Sequence, residues 1–232
     1  EGVFVDGKMN GAVKKYNADA SIYCDGVYKD DSFISGSIFY ENGNIMYKGG
    51  WNGSYHGNGI LYWDNSKKRY DGEWKNGKRD GYGSSYREDG TLEYIGYWKE
   101  DLYETNYGEL YNEDGKTIYY KGGYSSGQKS GDGTSYRLDG EKEYEGSWKS
   151  GRWNGKGIWY WENGKVYYEG DFIDGQPEGK GVSYQSNGKI RYNGSWSKGE
   201  YSGQGILYDE NEKIEYNGEF VEGEYIEDSE NK

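Results

Sequence analysis

The chain of 232 residues is poor in the residues on which ordinary enzymes and compact cores depend. It holds one cysteine, one histidine and one proline. Hydrophobic residues make up 32% of the chain and aromatic residues alone 19%, which leaves 13% for the aliphatic residues, alanine and cysteine. That share is too small for an ordinary two-layer core. We therefore expect any core to be aromatic and thin.

The scarcity of cysteine and histidine also argues against catalysis. A single cysteine excludes an intrachain disulfide and favours a reducing compartment. Cys24 takes a place that Tyr47, Tyr70 and Tyr94 hold elsewhere, so packing explains it better than nucleophilic chemistry. His56 is interpreted as a polar loop residue. Since no zinc spacing, calcium loop, phosphate loop or convergent catalytic group is found, the sequence predicts no enzyme activity, no catalytic residues, no metal site and no cofactor.

Charge and hydropathy restrict the kinds of partner and the compartment that we expect for this chain. The net charge is −13, which argues against nucleic acid as a partner. Acidic residues gather at the end of the chain, and residues 224–232 are predicted to be an acidic tail. Lys67, Lys68 and Arg69 form the main basic cluster. No signal peptide or membrane-spanning stretch is visible, so we expect a cytoplasmic protein, with attachment to cytoskeleton or membrane as alternatives.

A tract of the form Tyr-x-Gly-x-aromatic-x-x-Gly-x-x-x-Gly-x-Gly recurs along the whole chain at intervals of 23 to 26 residues. The bulky aromatic residues of successive copies are Phe4, Tyr28, Trp51, Trp74, Trp98, Tyr124, Trp148, Phe172, Trp196 and Phe220. Fixed periods of this length indicate stacked supersecondary units. The chain begins and ends inside a repeat, so we interpret it as a fragment of a longer protein.

Each copy contains two short runs in which side chains alternate with period two, as in β-strands. In one run Tyr144, Gly146 and Trp148 share a face. Between runs stand Asn-Gly or Asp-Gly pairs, which predict tight hairpin turns. These pairs are Asn42-Gly43, Asp89-Gly90, Asp114-Gly115, Asp139-Gly140, Asn163-Gly164 and Asn187-Gly188.

The repeated tract resembles the MORN repeat family. The family signature, Tyr-x-Gly-x-Trp-x-x-Gly-x-x-x-Gly-x-Gly, is matched nearly residue for residue in the copies that begin at Tyr70, Tyr144, Tyr168 and Tyr192. The resemblance extends from about Gly2 to Gly223. It implies an all-β fold: an open, twisted, single-layer antiparallel sheet of stacked β-hairpins, here a domain of about nine to ten repeats over residues 1–223. It also implies a binding platform in cytoplasmic scaffolds, membrane-junction proteins and cytoskeletal or ciliary proteins.

The face that carries the consensus aromatic residues is the first candidate for a binding groove. Tyrosine and tryptophan provide large, rigid contact areas with a polar tip. We therefore predict that an extended or helical protein segment binds there. The predicted groove residues are Trp51, Trp74, Trp98, Tyr124, Trp148, Phe172 and Trp196.

Tryptophans outside the consensus position suggest a second patch. Trp63, Trp159 and Trp161 stand out, and alternation places Phe39 on the same face as Trp63. Either a partner or a missing segment covers this patch, or these residues are scattered surface aromatics.

One repeat departs from the period. Between Trp98 and Tyr124 the repeat is stretched to 26 residues, and Asp101 and Asn106 stand where glycine is expected. Extra residues in one strand form bulges that bend a sheet. We predict a kink that divides the array near residues 101–120, within the irregular repeat at 98–120.

These observations favour a non-enzymatic scaffold that links membrane, cytoskeletal or ciliary components. An adaptor for anionic lipid, using Lys67, Lys68 and Arg69, is one alternative. A regulatory region of a larger enzyme, such as a lipid kinase or methyltransferase, is another. Unpaired sheet edges would also permit a homodimer.

Overall fold

The computed structural model describes residues 1–226, and all of their regular structure is β-strand. Strands that pair run antiparallel, and the part of the chain described contains no helix. The predicted open antiparallel sheet of β-hairpins is therefore confirmed. The chain separates into two compact units, Glu1–Lys116 and Thr117–Lys232.

The first unit contains eleven strands, each paired with its neighbours along the chain, except that β9 pairs with both β10 and β11. The strands are β1 Gly2–Val5, β2 Lys8–Tyr16, β3 Ile22–Lys29, β4 Ser32–Phe39, β5 Ile45–Trp51, β6 Tyr55–Tyr62, β7 Lys68–Lys75, β8 Lys78–Tyr86, β9 Leu92–Lys99, β10 Leu102–Tyr103 and β11 Thr105–Tyr111.

The described part of the second unit, residues 117–226, contains ten strands in the same arrangement. They are β12 Ile118–Ser125, β13 Gln128–Tyr136, β14 Lys142–Lys149, β15 Arg152–Tyr160, β16 Val166–Ile173, β17 Gln176–Tyr184, β18 Ile190–Ser197, β19 Glu200–Tyr208, β20 Ile214–Val221 and β21 Glu224–Tyr225. The last strand, β21, falls just inside the predicted acidic tail. Residues 227–232 of that tail lie outside the described residues.

Except for the hairpin of β5 and β6, each repeat is a hairpin closed by a two-residue turn in which both residues have positive φ. In the hairpin of β7 and β8, Asn76 has φ 52° and Gly77 has φ 80°. Turns of this kind match the twist of the flanking strands. The same geometry recurs at Ser150-Gly151, Asp174-Gly175, Lys198-Gly199 and Glu222-Gly223.

The predicted position of the tight turns was wrong. The Asn-Gly and Asp-Gly pairs singled out in the sequence lie instead in the longer loops that join one repeat to the next. In one such loop the Arg87 N–H donates to the Thr91 carbonyl, and the Asp89 carboxylate accepts from the Thr91 N–H at 2.8 Å. Gly90 alone takes positive φ there, 87°. Asparagine or aspartate is therefore used for its side-chain hydrogen bond, and glycine for its backbone.

A row of fully buried tyrosines forms the core of each unit. Seven tyrosines are at most 1% exposed: Tyr47, Tyr70, Tyr94, Tyr120, Tyr144, Tyr168 and Tyr192. Each hydroxyl donates to a carbonyl three residues further along its own strand, as Tyr144 does to Ser147 at 2.9 Å. A buried hydroxyl needs such a partner. The core is thus one aromatic layer lying on the sheet, as the composition predicted.

Glycine makes room for each of these rings. Gly146 pairs across the strands with Gly157, and Gly157 pairs in turn with Gly170. A Cβ added at Gly146 would lie 2.6 Å from the Tyr144 hydroxyl and 2.5 Å from the Gly157 Cα. No side chain fits at that distance. The repeated glycines therefore let a tyrosine lie across two neighbouring backbones.

The irregular repeat is interrupted where the sequence departs from the period. Glu100 and Asp101 both have positive φ, 48° and 72°, in a turn without glycine. The second strand of this hairpin is divided into β10 and β11, with Glu104 between them. The Glu104 N–H donates to the Tyr97 carbonyl at 3.1 Å. The kink proposed near residues 101–120 stays a prediction.

Candidate partner-binding face

The aromatic face of each unit is the side of its sheet that carries the buried tyrosines. The consensus residues predicted to form a groove lie on this face. Trp51 is half-buried, and the other six are between 1% and 6% exposed: Trp74, Trp98, Tyr124, Trp148, Phe172 and Trp196. Binding by these residues stays a prediction. Their burial, however, leaves almost none of their surface for a partner.

Apart from Trp51, the consensus tryptophans are buried, because each one stands edge-on between two tyrosines. The Trp148 ring lies 5.4 Å from Tyr144 and 5.1 Å from Tyr120, at interplanar angles of 89° and 80°. Its indole N–H donates to the Gly133 carbonyl at 3.0 Å. Edge-to-face contacts of this kind stabilise aromatic cores. These residues therefore join neighbouring repeats within a unit.

A different residue forms the accessible layer of the aromatic face. It lies directly opposite the consensus aromatic, on the second strand of each hairpin, and we call its place the stacking position. The residues at the stacking position are Met9, Phe33, Tyr55, Arg79, Tyr103, Lys129, Trp153, Pro177, Tyr201 and Tyr225. The repeat consensus does not reveal this position, because its residues vary from repeat to repeat.

Aromatic residues at the stacking position lie parallel to the buried tyrosines. Tyr201 stacks on Tyr192 with centroids 3.9 Å apart and planes 13° apart. Trp153 stacks on Tyr144 at 4.5 Å and 6°. Tyr201 and Trp153 are both half-buried. One side of each ring covers the core, and the other side is open to a partner.

Two repeats place a cation at the stacking position. The Arg79 guanidinium lies 3.9 Å from the centroid of the Trp98 ring and pairs with Asp101 at 3.0 Å. The Lys129 amine lies 4.7 Å from the centroids of the Tyr120 and Trp148 rings. Burial lowers the pKa of Lys129 to about 8, with Glu143 acting in the opposite direction. A ring is therefore not required at this position for the repeat to pack.

Five stretches of the chain match the MORN repeat profile: residues 47–68, 70–92, 144–166, 168–190 and 192–212. The chain carries MORN repeats. Over 71 residues it is also 41% identical to MORN repeat-containing protein 3 of Xenopus laevis. That stretch covers 28% of this chain and 29% of the relative, so the chain matches less than a third of the relative's length.

The matched MORN repeats are hairpins in which the tyrosine, its two glycines and the following aromatic residue are all present. In the repeat that starts at Tyr168, for example, Gly170 and Gly181 lie beneath the phenol, and the Phe172 ring stands at 86° to it, 5.0 Å away. The irregular repeat at 98–120 lies outside the matched stretches.

In the second unit, two tryptophans of the predicted second patch lie in MORN repeats. Trp159 pairs opposite Tyr144 and Tyr168, so it lies on the aromatic face and not on a separate surface. Trp159 and Trp161 both contact Tyr167, at 4.6 Å and 4.4 Å between centroids. They are half-buried. Together with Trp153, which lies 5.4 Å from Trp159, they extend the accessible ring surface of this unit.

Trp63, the third residue of that patch, lies in the first unit and links two neighbouring MORN repeats. Its indole N–H donates to the Tyr86 carbonyl at 3.4 Å, as Trp161 does to Tyr184 at 3.1 Å. Arg87 reaches the Tyr111 carbonyl from the same repeat position. The predicted alternation at Phe39 was wrong by one residue, because Ile38 lies opposite Tyr47 and is 5% exposed.

The basic cluster proposed for lipid binding is largely engaged within the first unit. The Lys67 amine donates to the Asp89 carbonyl at 2.6 Å, and Lys68 pairs with Asp71 at 2.7 Å. The Arg69 guanidinium lies 4.5 Å from the centroid of the Trp63 ring. These contacts separate the three cations and leave Arg69 alone beside the aromatic face.

The single cysteine and the single histidine both lie in strands of the first unit. Cys24 is 2% exposed, with its sulfur 3.0 Å from the Tyr28 hydroxyl. His56 was predicted in a loop, but it lies in β6. Within residues 1–226, no group of three or more His, Cys, Asp or Glu side chains could hold a metal ion. Nor does that part of the chain contain a helix long and apolar enough to cross a membrane.

Proposed function

We propose that these MORN repeats form a non-enzymatic adaptor that binds a protein segment on the aromatic face of each unit. The contact surface is the layer of half-buried rings at the stacking positions, in place of the buried consensus aromatics. Tyr55 and Tyr103 supply it in the first unit, and Trp153 and Tyr201 in the second. The predicted links to membrane, cytoskeleton or cilium stay predictions, as do the alternatives of lipid adaptor and regulatory region of an enzyme.

One observation carries this proposal. Arginine, lysine and proline occupy the stacking position in other repeats of the same chain, at Arg79, Lys129 and Pro177. Packing therefore does not demand a ring at this place. Half-buried tyrosine and tryptophan are costly to expose and well suited to recognition. Rings that the repeat does not need for its own stability are best explained by a partner.

The opposite face of the sheets offers less for recognition. In the second unit its central row alternates between Glu145, Ile158, Glu169 and Val182, each opposite the next across the strands. Lys156 pairs with Asp171 beside this row, at 2.9 Å. Single apolar side chains separated by charges provide no continuous hydrophobic surface. We therefore assign the partner to the aromatic face.

The chain itself supplies the substitutions that test the proposal. One variant carries Tyr55→Arg with Tyr103→Arg, and a second carries Trp153→Lys with Tyr201→Lys. Since Arg79 and Lys129 already occupy the same position, both variants are expected to fold. The measurement is affinity capture from a lysate of the source organism, with urea unfolding to verify the fold. We expect a protein retained by the native chain to be lost by at least one variant.

The matched control changes the opposite face by the same logic. Ile60→Ser copies Ser84, which also lies opposite Asp71, and Ile158→Thr copies Thr134, which also lies opposite Glu145. We expect this control to capture the same protein as the native chain. Equal capture by the native chain and both stacking variants would refute the proposal. Loss in the opposite-face control alone would transfer the site to that face.

A further inference from the structure

A cavity on the aromatic face of the first unit has the composition of a peptide-binding groove. Its volume is about 630 Å³, within the range of sites that hold one or two side chains. Tyr40, Met46, Tyr55 and Leu61 line it, and all four are half-buried. Tyr55 is held in place by stacking on Tyr47 at 4.2 Å. The cavity therefore has a rigid, mostly apolar floor.

Two arginines line this cavity, and they differ in their partners. Arg79 is held by Asp101: its side chain donates to the Asp101 carboxylate at 3.0 Å and to the Asp101 carbonyl at 3.2 Å. The Arg69 side chain makes no hydrogen bond or ion pair with any residue between 1 and 226. Besides burial, which raises the pKa of Tyr40, Arg69 lowers that pKa and Asp64 raises it, so both charges lie near that ring. Asp64 and Arg69 nevertheless make no ion pair with each other. Arg69 thus has a full set of guanidinium donors facing solvent beside an apolar floor.

The third arginine of the first unit also differs from Arg69 in its hydrogen-bond partners. Arg87 donates to the carbonyls of Leu92 and Tyr111, both at 2.7 Å. Among the three arginines of the first unit, Arg69 alone has a side chain that makes no hydrogen bond or ion pair within the described chain. Its guanidinium nevertheless has a defined place, since it stacks 4.5 Å from the Trp63 ring centroid. A stacked guanidinium is already oriented, so little entropy is lost when it binds an anion.

The chemistry of the missing partner follows from these neighbours. A guanidinium matches a carboxylate with two parallel hydrogen bonds, and the adjacent floor accepts an aliphatic or aromatic side chain. Asp101 already supplies such a carboxylate to Arg79 at the other end of the cavity. An anionic membrane surface fits less well, because Lys67 and Lys68 are engaged elsewhere and a single cation attracts anionic lipid weakly.

We infer that this cavity binds a segment of a partner protein in which an aspartate or glutamate stands next to an apolar residue. The carboxylate pairs with Arg69, and the apolar side chain lies on Met46, Tyr55 and Leu61. This inference rests on the proposed adaptor function and names the chemistry that the first unit recognises.

The experiment uses the full chain and an array of hexapeptides whose two central residues take every pair of amino acids. We expect the bound peptides to combine one acidic and one apolar residue at the centre. A peptide with Leu-Glu at the centre and its Leu-Gln counterpart then serve as soluble probes in NMR titrations. The glutamate peptide is expected to bind about tenfold more tightly and to shift the Arg69 side-chain N–H signals.

Three variants test whether Arg69 is the cause of the tighter binding of the glutamate peptide. Arg69→Gln should reduce binding of the glutamate peptide to that of the glutamine peptide. Arg69→Lys should recover part of it, since charge returns without the two-pronged geometry. Arg152→Gln makes the same change of charge in the second unit, where the side chain is 66% exposed, and should leave binding unchanged. Urea unfolding of each variant verifies that the fold is retained.

Several outcomes would overturn the inference. An array without acidic preference, an array that binds nothing, or equal binding by Arg69→Gln and the native chain would each do so. Binding to phosphatidylserine vesicles that depends on Arg69, with no peptide bound, would replace the peptide by lipid. The adaptor function fails separately, through its capture experiment. Capture that is lost in the stacking variants, with no acidic preference in the array, would refute this inference alone.

Discussion

The buried tyrosines and the residues stacked on them lie in adjacent layers of the same face, yet they vary in opposite ways. The tyrosine layer is nearly invariant: Tyr47, Tyr144 and Tyr192 are each 0% exposed and all hydrogen-bond three residues ahead. The stacking layer holds methionine, phenylalanine, tyrosine, arginine, lysine, tryptophan and proline at different repeats. The comparison separates positions that the fold dictates from positions that are open to function.

Removing a ring from the tyrosine layer should have the largest effect on stability. Tyr144→Ala deletes a fully buried phenol and exposes the glycine pair beneath it, which cannot close the gap. We expect the free energy of unfolding to fall by about 4 kcal/mol. Urea unfolding measures the loss, and hydrogen exchange should locate it in β14 and β15. A loss below that caused by Trp153→Lys would contradict the division into two layers.

Adding one methyl group beneath the ring should be the next most harmful change. Gly157→Ala places a Cβ against the Tyr144 phenol, and we expect a loss of about 2–3 kcal/mol from overpacking. Gly175→Asn is the matched control. Gly175 has φ 87° but no atom within 4 Å of an added Cβ, and asparagine tolerates positive φ. Thermal unfolding of both variants tests this, and equal losses would show that space under the ring is not the constraint.

A substitution within the stacking layer should cost less. Trp153→Lys gives up a parallel stack on Tyr144 but creates the arrangement that Lys129 already has on Tyr120. We expect the free energy of unfolding to fall by about 1.5 kcal/mol. The same variant should lose partner contacts if the stacking layer is the binding surface. A loss as large as that of Tyr144→Ala would place Trp153 in the core.

The smallest expected effect is a dependence of stability on pH caused by Lys129. Its pKa of about 8 in the folded chain lies below the ordinary value, because burial disfavours the charged amine. Above pH 8 the unfolded chain therefore binds more protons than the folded chain, so stability rises with pH up to about pH 10. Allowing for solvent screening, the gain is about 1 kcal/mol. Lys129→Met should remove the rise in urea titrations, whereas Lys149→Met, as a control of similar charge, should keep it.

Sequence periodicity was sufficient for the strands and for the aromatic core. Tyr144, Gly146 and Trp148 recur at fixed spacing, and their shared face predicted a thin core of rings with glycine between them. The accessible residues were harder to find. Trp153 and Tyr201 vary between repeats, so a consensus sets them aside, and their role emerges only from cross-strand pairing with Trp148 and Trp196.

The turns and the second patch could not be placed for related reasons. An Asn-Gly pair fits both a two-residue turn and a longer loop, and only the pairing of β7 with β8 assigns the tight turn to Asn76 and Gly77. The face of Trp159 depended on strand register, which one displaced residue reverses. The contacts of Arg69 were equally invisible, since they join residues from different strands.

The hydrogen bond from each buried tyrosine ends on its own strand, three residues ahead. No tyrosine hydroxyl depends on a neighbouring repeat for its hydrogen-bond acceptor. A hairpin that is copied therefore brings the acceptor for its buried hydroxyl with it. Arrays of such hairpins can gain or lose whole copies during evolution without redesign of the core. Because the stacking residue is free to change in each copy, a newly duplicated repeat can acquire a different binding preference while its parent keeps the old one.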